Sequence, residues 1–216
     1  MAAGKIEEKS DQENGAKPST EIAVAEKASI PPELKSKHPL HNKWTLWFFQ
    51  FDKNQAWEDN LQEVSSFEYV EDFWALFNHI EPASRLPTGC DYSMFKYGVK
   101  PMWEDDSNKH GGRWLINFQR NHREALDECW LEVLLCLIGE QFGDDGETVN
   151  GAVVAVRNKG DKIGLWTSDW KHSNEIMSIG SKLKEKLGMD RALIGYQSHA
   201  DTIDKRSSKA KDMYTV

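Results

Sequence analysis

The stretch with the clearest capacity for chemistry is Pro-Met-Trp-Glu-Asp-Asp-Ser-Asn-Lys-His-Gly-Gly-Arg-Trp, Pro101 to Trp114. An indole presents a wide flat face, and a carboxylate presents two acceptor oxygens. Side by side in a loop, Trp103 and Glu104 can cover a flat ring and accept hydrogen bonds from its edge. Guanine fits that description, because its Watson–Crick edge carries adjacent N–H donors. A core Trp followed by a solvated acidic turn, with Asp105 and Asp106 in water, accounts for the same residues, and the pair alone does not separate the two readings. Elsewhere, Trp57 stands among Gln55, Glu58 and Asp59, which makes a core role unconvincing. Arg157, Lys159 and Lys162 fall on both arms of a hairpin signalled by Asn158-Lys159-Gly160-Asp161, so they cluster in space. Three cations at a hairpin tip are otherwise a solvated turn.

The elements that must carry these residues follow from periodicity. Trp44 to Phe51 is dense in aromatics on both alternating faces and reads as a strand covered on both sides. Leu61 to Phe67 alternates as a strand. Val70, Phe73, Trp74 and Phe77 recur at helix spacing, and Pro82 stops that helix. Tyr92 and Met94 mark a short strand, and Arg113 to Phe118 another. Leu126 to Ile138 is a helix that ends at Gly139 as its C-cap. Val149 to Arg157 and Lys162 to Thr167 are the hairpin strands, and Ile176, Ile179, Leu183 and Leu187 mark a third helix. Ala192 to Gln197 is a last strand before a polar end. Strands outnumber helices and at least one pair is a hairpin, so the fold class is α+β: a mostly antiparallel sheet with three helices on one face.

Composition narrows the function classes. The chain of 216 residues suits one domain with a tail. Residues 1–36 hold no aromatic and cannot bury enough apolar surface to offset ordering, so a disordered tail is expected. The net charge of −8 and pI near 5.4 argue against a general RNA-binding surface while leaving room for a small basic patch. No apolar run has the length of a membrane span, and no signal segment is visible, which points to a cytoplasmic protein compatible with a nuclear fraction. The three cysteines, Cys90, Cys129 and Cys136, form no CxxC and read as reduced core thiols. No P-loop, GxGxxG, GxSxG or HExxH motif is present, and the seven histidines show no ligand spacing. Neither catalysis, a metal nor a cofactor is expected.

Trp103-Glu104-Asp105, Asn108 and Gly111-Gly112-Arg113-Trp114 together resemble the motif of the eukaryotic translation initiation factor 4E family, the messenger-RNA cap-binding proteins. The likeness runs on through His38-Pro39-Leu40, Trp44-Thr45-Leu46-Trp47, Val70-Glu71-Asp72-Phe73-Trp74, Trp130-Leu131-Glu132, Leu134 to Gly139, Gly151 to Val154 and Gly195-Tyr196-Gln197. The resemblance implies a cap-binding domain over 37–216, with a curved sheet backed by helices on its convex side and a ligand slot on its concave side. It also implies that Trp57 and Trp103 sandwich the cap base while Glu104 accepts from its edge. Trp166 lies near the N7 methyl, although its alternation in a strand suits core as well. Arg157 and Lys162 meet the cap phosphates, with Arg113 and Lys205 in support. A positively charged 7-methylguanine gains cation–π attraction of about 0.5–2 kcal/mol beyond stacking, and its sharpened N–H donors form charge-assisted bonds to a carboxylate. Ala155 departs from the polar residue that many relatives carry, which bears on fine affinity. The family match also assigns His38, Pro39, Val70, Trp74, Leu131, Glu132 and Leu135 to a dorsal surface. That surface grips Tyr-x4-Leu-apolar motifs of a scaffold initiation factor of the 4G type and of 4E-binding inhibitor proteins. Ser208 matches a regulatory phosphorylation position in relatives.

The expected protein is therefore a monomer, not an enzyme, that holds capped messenger RNA and recruits a scaffold to start translation. Rival readings are a cap-binding repressor that lacks scaffold recruitment, a decapping-type hydrolase, and an interaction module with a decayed cap site. Trp at 57, where repressor-like relatives tend to carry another aromatic, favours the initiation factor. If Arg157 and Lys162 hold phosphates, affinity climbs from 7-methyl-GMP to 7-methyl-GTP and falls with salt. In fluorescence titrations the Arg157→Ala/Lys162→Ala variant should flatten both trends.

Overall fold

Alternation along the strands divides the side chains between two faces, one packed under helices and one open. The computed structural model describes residues 36–119, 123–189, 191–204 and 211–216. Lys205, Ser208 and nearly all of the tail expected over 1–36 lie outside the described residues. Eight strands, β1 (Pro39–Gln50), β2 (Leu61–Tyr69), β3 (Cys90–Lys96), β4 (Gly112–Phe118), β5 (Val149–Ala155), β6 (Asp161–Thr167), β7 (Gly195–Ser198) and β8 (Tyr214–Thr215), form one curved sheet. Their order is β2-β1-β3-β5-β6-β4-β7-β8, and every pair is antiparallel.

Trp44 and Leu46 of β1, Tyr92 and Met94 of β3, Ala152 and Val154 of β5, Ile163 and Leu165 of β6, and Trp114 and Ile116 of β4 point into one core. Against them pack Phe73 of α1 (Val70–Phe77), Leu126, Trp130, Val133, Leu134 and Leu137 of α2 (Arg123–Ile138), and Ile176, Ile179 and Leu183 of α3 (Ser173–Lys186). The residues one step along each strand therefore face the opposite way, and they build the open side described below. Among the described residues no helix is long and apolar enough to cross a membrane.

Three details differ from the sequence reading. The C-terminus of α2 does close at Gly139, but the left-handed residue that follows is Glu140, with φ 50°. Gln141 N–H donates to Cys136 O (3.0 Å) and Glu140 N–H to Leu137 O (3.3 Å), the pair of bonds that ends a helix on a left-handed turn. A glycine usually takes that place; here the Glu140 carboxylate is held by Asn42 Nδ2 at 2.9 Å. A fourth helix, α4 (His199–Asp204), follows β7, and its six residues are too few to show a period. Strand β8 is also new. It is held by Gly195↔Thr215 and Tyr196↔Tyr214 pairing and by Ile194–Val216 backbone bonds.

The α3–sheet contact is close enough to exclude a methyl group. A Cβ at Gly180 would lie 2.3 Å from Trp114 Cζ2, and the same indole donates its N–H to Ile176 O at 3.1 Å. Alanine is the better helix former by about 1 kcal/mol, whereas overpacking a core costs about 1–3 kcal/mol. Gly180→Ala should therefore lower the melting temperature, by about 2–4 °C for each kcal/mol lost, in a thermal scan by circular dichroism.

Candidate functional site

Two loops and the open face of the sheet enclose a slot of about 430 Å³, within the range of small-molecule sites. The first loop carries Trp57 and the second carries Trp103 and Glu104. The floor comes from strand residues of the parity opposite to the core: Phe49, Asp91, Ser93, Arg113, Val153, Ala155 and Trp166, with Arg157 just beyond β5. Residues as far apart in sequence as Phe49 and Trp166 thus share one surface because antiparallel register aligns them. Arg113 sits between Trp166 on β6 and Gln197 on β7, and Ala155 between Asp91 on β3 and Lys162 on β6.

Each loop is fixed by a buried asparagine. Asn60 donates through Nδ2 to Ala56 O (3.1 Å) and Asp52 O (3.3 Å) and accepts from Asp52 N–H (3.0 Å). This clamp leaves Trp57 48 % exposed, with its ring tilted 33° against Phe49 at 5.3 Å. Asn108 donates to Lys100 O (2.8 Å) and Met102 O (2.9 Å) and accepts from Asn150 Nδ2 (2.9 Å). Asp105 is part of the same construction, accepting from Lys100 N–H (3.1 Å) and Ser107 N–H (2.9 Å). It is a loop-former, not the solvated acid expected; Asp106, exposed and paired with Lys109, does match that expectation. The Gly111-Gly112 step is buried and not a flexible linker. A Cβ at Gly111 would stand 1.8 Å from Thr167 O, and one at Gly112 2.5 Å from Gln197 O. Glycine is required there by close approach of three strands.

The slot's cations are held in three ways. Arg157 forks onto Asp91, with Nη2 donating to Oδ2 at 2.8 Å and Nη1 to Oδ1. Burial pushes the Asp91 carboxyl up and the Arg157 pairing opposes it, while the pairing pushes the Arg157 guanidinium up. The Asp161 carboxylate accepts from Arg157 N–H (2.9 Å), which fixes the turn that carries the arginine. Arg113 has its guanidinium 5.9 Å over the Trp103 ring. Burial lowers its pKa. Lys162 is lowered by burial and then by Arg113 and Arg157. Like charges crowded at one end of a cavity attract an anion strongly. Lys162 borders the slot at its rim, beside Ala155, and is not in its wall; Lys205 lies outside the described residues.

Trp166 is 4 % exposed, and it both lines the slot and packs edge-on against Phe95, so core and site are the same position for it. Trp44, Trp114 and Trp130 are core, and Trp47 is half-buried. Sequence reasoning missed Asp91, Phe49, Ser93, Val153 and Asn60. The available signal was strand parity, which needed the register to become usable.

The second expected group lies on the helix side. His38 N–H donates to Glu71 Oε2 (3.0 Å) and its Nδ1 meets Oε1 (2.6 Å), while Lys37 Nζ donates to Asp72 (2.6 Å). These bonds, with Val70 N–H on His38 O (2.9 Å), tie the chain before β1 to the start of α1. His38 holds the Glu71 carboxyl down to about 2. On α1, Trp74 is 36 % exposed, edge-on to Phe77 at 6.1 Å, and Val70 is half-buried beside it. On α2, Leu131 and Leu135 are half-buried and Glu132 is exposed. Phe77 and Leu131 line one groove, which α1 and α2 border together.

Removing the Asn108 clamp leaves two loop carbonyls and the Asn150 amide short of partners, which costs about 1–3 kcal/mol for a buried polar group. Asn108→Ala should therefore shift the urea midpoint down and open the 101–111 loop to limited proteolysis ahead of the sheet.

Comparison with known proteins agrees with this geometry. The family model of eukaryotic initiation factor 4E matches residues 39–214. The human eukaryotic translation initiation factor 4E is 54 % identical over 187 residues, 86 % of each chain. The protein of that name from Aplysia californica is 50 % identical over 202 residues, 93 % of this chain and 94 % of its own. Among solved structures, the complex of C. elegans eIF4E-3 with the 4E-binding protein Mextli and cap analog superposes with a TM-score of 0.77. It is 46 % identical, covering 84 % of this chain and all of that one. With its sheet, its two clamped tryptophan loops and its cationic slot, this chain belongs to the eukaryotic initiation factor 4E family.

Proposed function

We propose that this chain binds the 7-methylguanosine 5′ cap of messenger RNA in the slot and recruits a scaffold initiation factor through its helix face, so starting cap-dependent translation. The observation that carries the reading is the placement of Trp57, Trp103 and Glu104 on the walls of one cavity that Arg113 and Arg157 also line. Two indole faces and one carboxylate suit a flat cation with N–H donors on its edge, and Arg113, Arg157 and Lys162 suit a chain of phosphates. In this reading Trp57 and Trp103 stack the base, Glu104 accepts from its edge, Trp166 meets the methyl group, and Lys205 assists at the phosphates. Residues 37–216 are the binding domain and 1–36 its tail, and the protein works in the cytoplasm, with no catalytic step of its own.

The helix face suits an apolar helical peptide of the Tyr-x4-Leu kind. Trp74 stands partly exposed between Val70 and Phe77, and Trp is among the residue types enriched at interface hot spots. This favours scaffold recruitment over a repressor that binds caps alone. A relative caught with both a cap analog and a 4E-binding protein supports the same division of labour.

The two activities should separate. Trp57→Ala should nearly abolish 7-methyl-GTP binding and keep a Tyr-x4-Leu peptide. Trp74→Ala should do the reverse, losing about thirtyfold or more in peptide affinity for an interface loss of about 2 kcal/mol. Wild-type protein should bind GTP far more weakly than 7-methyl-GTP. Equal binding of the two nucleotides would remove the cation–π basis of the slot. Parallel fluorescence titrations, with circular dichroism on both variants, make the comparison.

A further inference from the structure

The Arg157 guanidinium is held along two of its edges. Nη1 donates to Asp91 Oδ1 and to Val156 O (3.0 Å), with Cys90 O at 3.5 Å, and Nη2 donates to Asp91 Oδ2 at 2.8 Å. The Asp161 carboxylate accepts the Arg157 backbone N–H (2.9 Å), so the root of the side chain is fixed as well as its tip. A guanidinium carries five N–H donors in one rigid plane. Both on Nη1 and one on Nη2 are taken. The other Nη2 hydrogen and the Nε–H share the remaining edge, and neither has a partner among the described residues. The side chain is 40 % exposed where it lines the slot.

Asp91 stands in a cross-strand row, Phe49–Asp91–Ala155–Lys162, on the floor of the slot. It is the one side chain of that row with an acceptor, because Ala155 ends at its methyl group. As a charge alone it is out of place. The slot's cations draw in an anion, and a carboxylate beside them repels it. Burial also pushes the Asp91 carboxyl up, against the Arg157 pairing. As an acceptor it has the opposite effect, since a fork already held in one orientation loses less freedom when it meets a phosphate.

Resting on the nucleotide reading of the slot, we infer that Asp91 is a positioning residue for the phosphate chain. It occupies the end of the Arg157 guanidinium and so presents the Nε–Nη2 edge to a phosphate as a two-point donor. The gain from orientation outweighs the repulsion. Asp91 acts through Arg157 and touches no phosphate oxygen itself, because both groups are anionic.

The test is a double-mutant cycle on the full chain, read by fluorescence titration of 7-methyl-GTP and of 7-methylguanosine. Asp91→Asn keeps the shape and removes a negative charge. Charge alone would tighten 7-methyl-GTP binding; loss of the held fork should instead weaken it, about three- to tenfold. The loss should be severalfold smaller for 7-methylguanosine, which carries no phosphate. Asp91→Glu, which keeps both acceptor oxygens, should recover part of the affinity. An Arg157→Lys chain keeps the charge but has no fork to orient. In that background Asp91→Asn should cost nothing further, since coupled residues are non-additive. Binding of a Tyr-x4-Leu peptide to the helix face reports folding. Should Asp91→Asn lose the peptide, Asp91→Ser carries the same comparisons in both backgrounds. Tighter or unchanged 7-methyl-GTP binding in Asp91→Asn overturns the inference and leaves the slot's function standing. Equal losses on the two ligands, or the same loss in the Arg and Lys backgrounds, do so as well. A wild-type chain that does not bind 7-methyl-GTP overturns both.

Discussion

Satisfaction of loop backbone by two buried amides is the constraint on which the site depends. A loop that leaves a sheet carries carbonyl and N–H groups without ladder partners, and buried ones must be paired. Asn60 and Asn108 supply those partners. Each is nearly or fully buried, each gives both hydrogens of its amide to two loop carbonyls, and each accepts one further donor. The loops can then hold large indoles at the cavity mouth without an apolar core beneath them. Trp57 stays half-exposed in this way, and Trp103 keeps its place above Arg113.

The electrostatics of the slot's cations follow from burial. Among the described residues Arg113 loses water without gaining a carboxylate, and Lys162 loses water beside two other cations. Arg157 is, among the described residues, the slot cation with a paired acid, Asp91, and that pairing pre-sets its fork. Such a site is costly when empty and favourable with an anion, so binding energy is stored as unfavourable charge placement. The Asp91 carboxylate orders one of the two arginines in the slot wall.

The sheet keeps the two surfaces apart. Its inner face is consumed by one core shared with α1, α2 and α3, and its open face belongs to the slot. Trp74 and Trp57 therefore stand on opposite sides of a packed layer. The chain that precedes β1 is tied to α1 through His38–Glu71 and Lys37–Asp72, which makes the helix face a composite of distant residues.

Much of this was legible in the sequence, for reasons that are local. Periodicity marked α1 through Val70, Phe73, Trp74 and Phe77 and placed β3 to β6, because burial on one face writes a repeat into the chain. The motif around Trp103 and Glu104, with Trp57 among polar neighbours, marked the slot residues. Other features have no local signal. Glu140 takes a left-handed turn that glycine usually fills, and Asn42, nearly a hundred positions away, donates to its carboxylate. Asp91 reads as an ordinary strand acid until β3 pairs with β5 and brings Arg157 beside it. Asp105 reads as a solvated acid until the loop folds back on it. Sequence determined which residues could do the chemistry; cross-strand register, a property of the whole sheet, decided which of them meet.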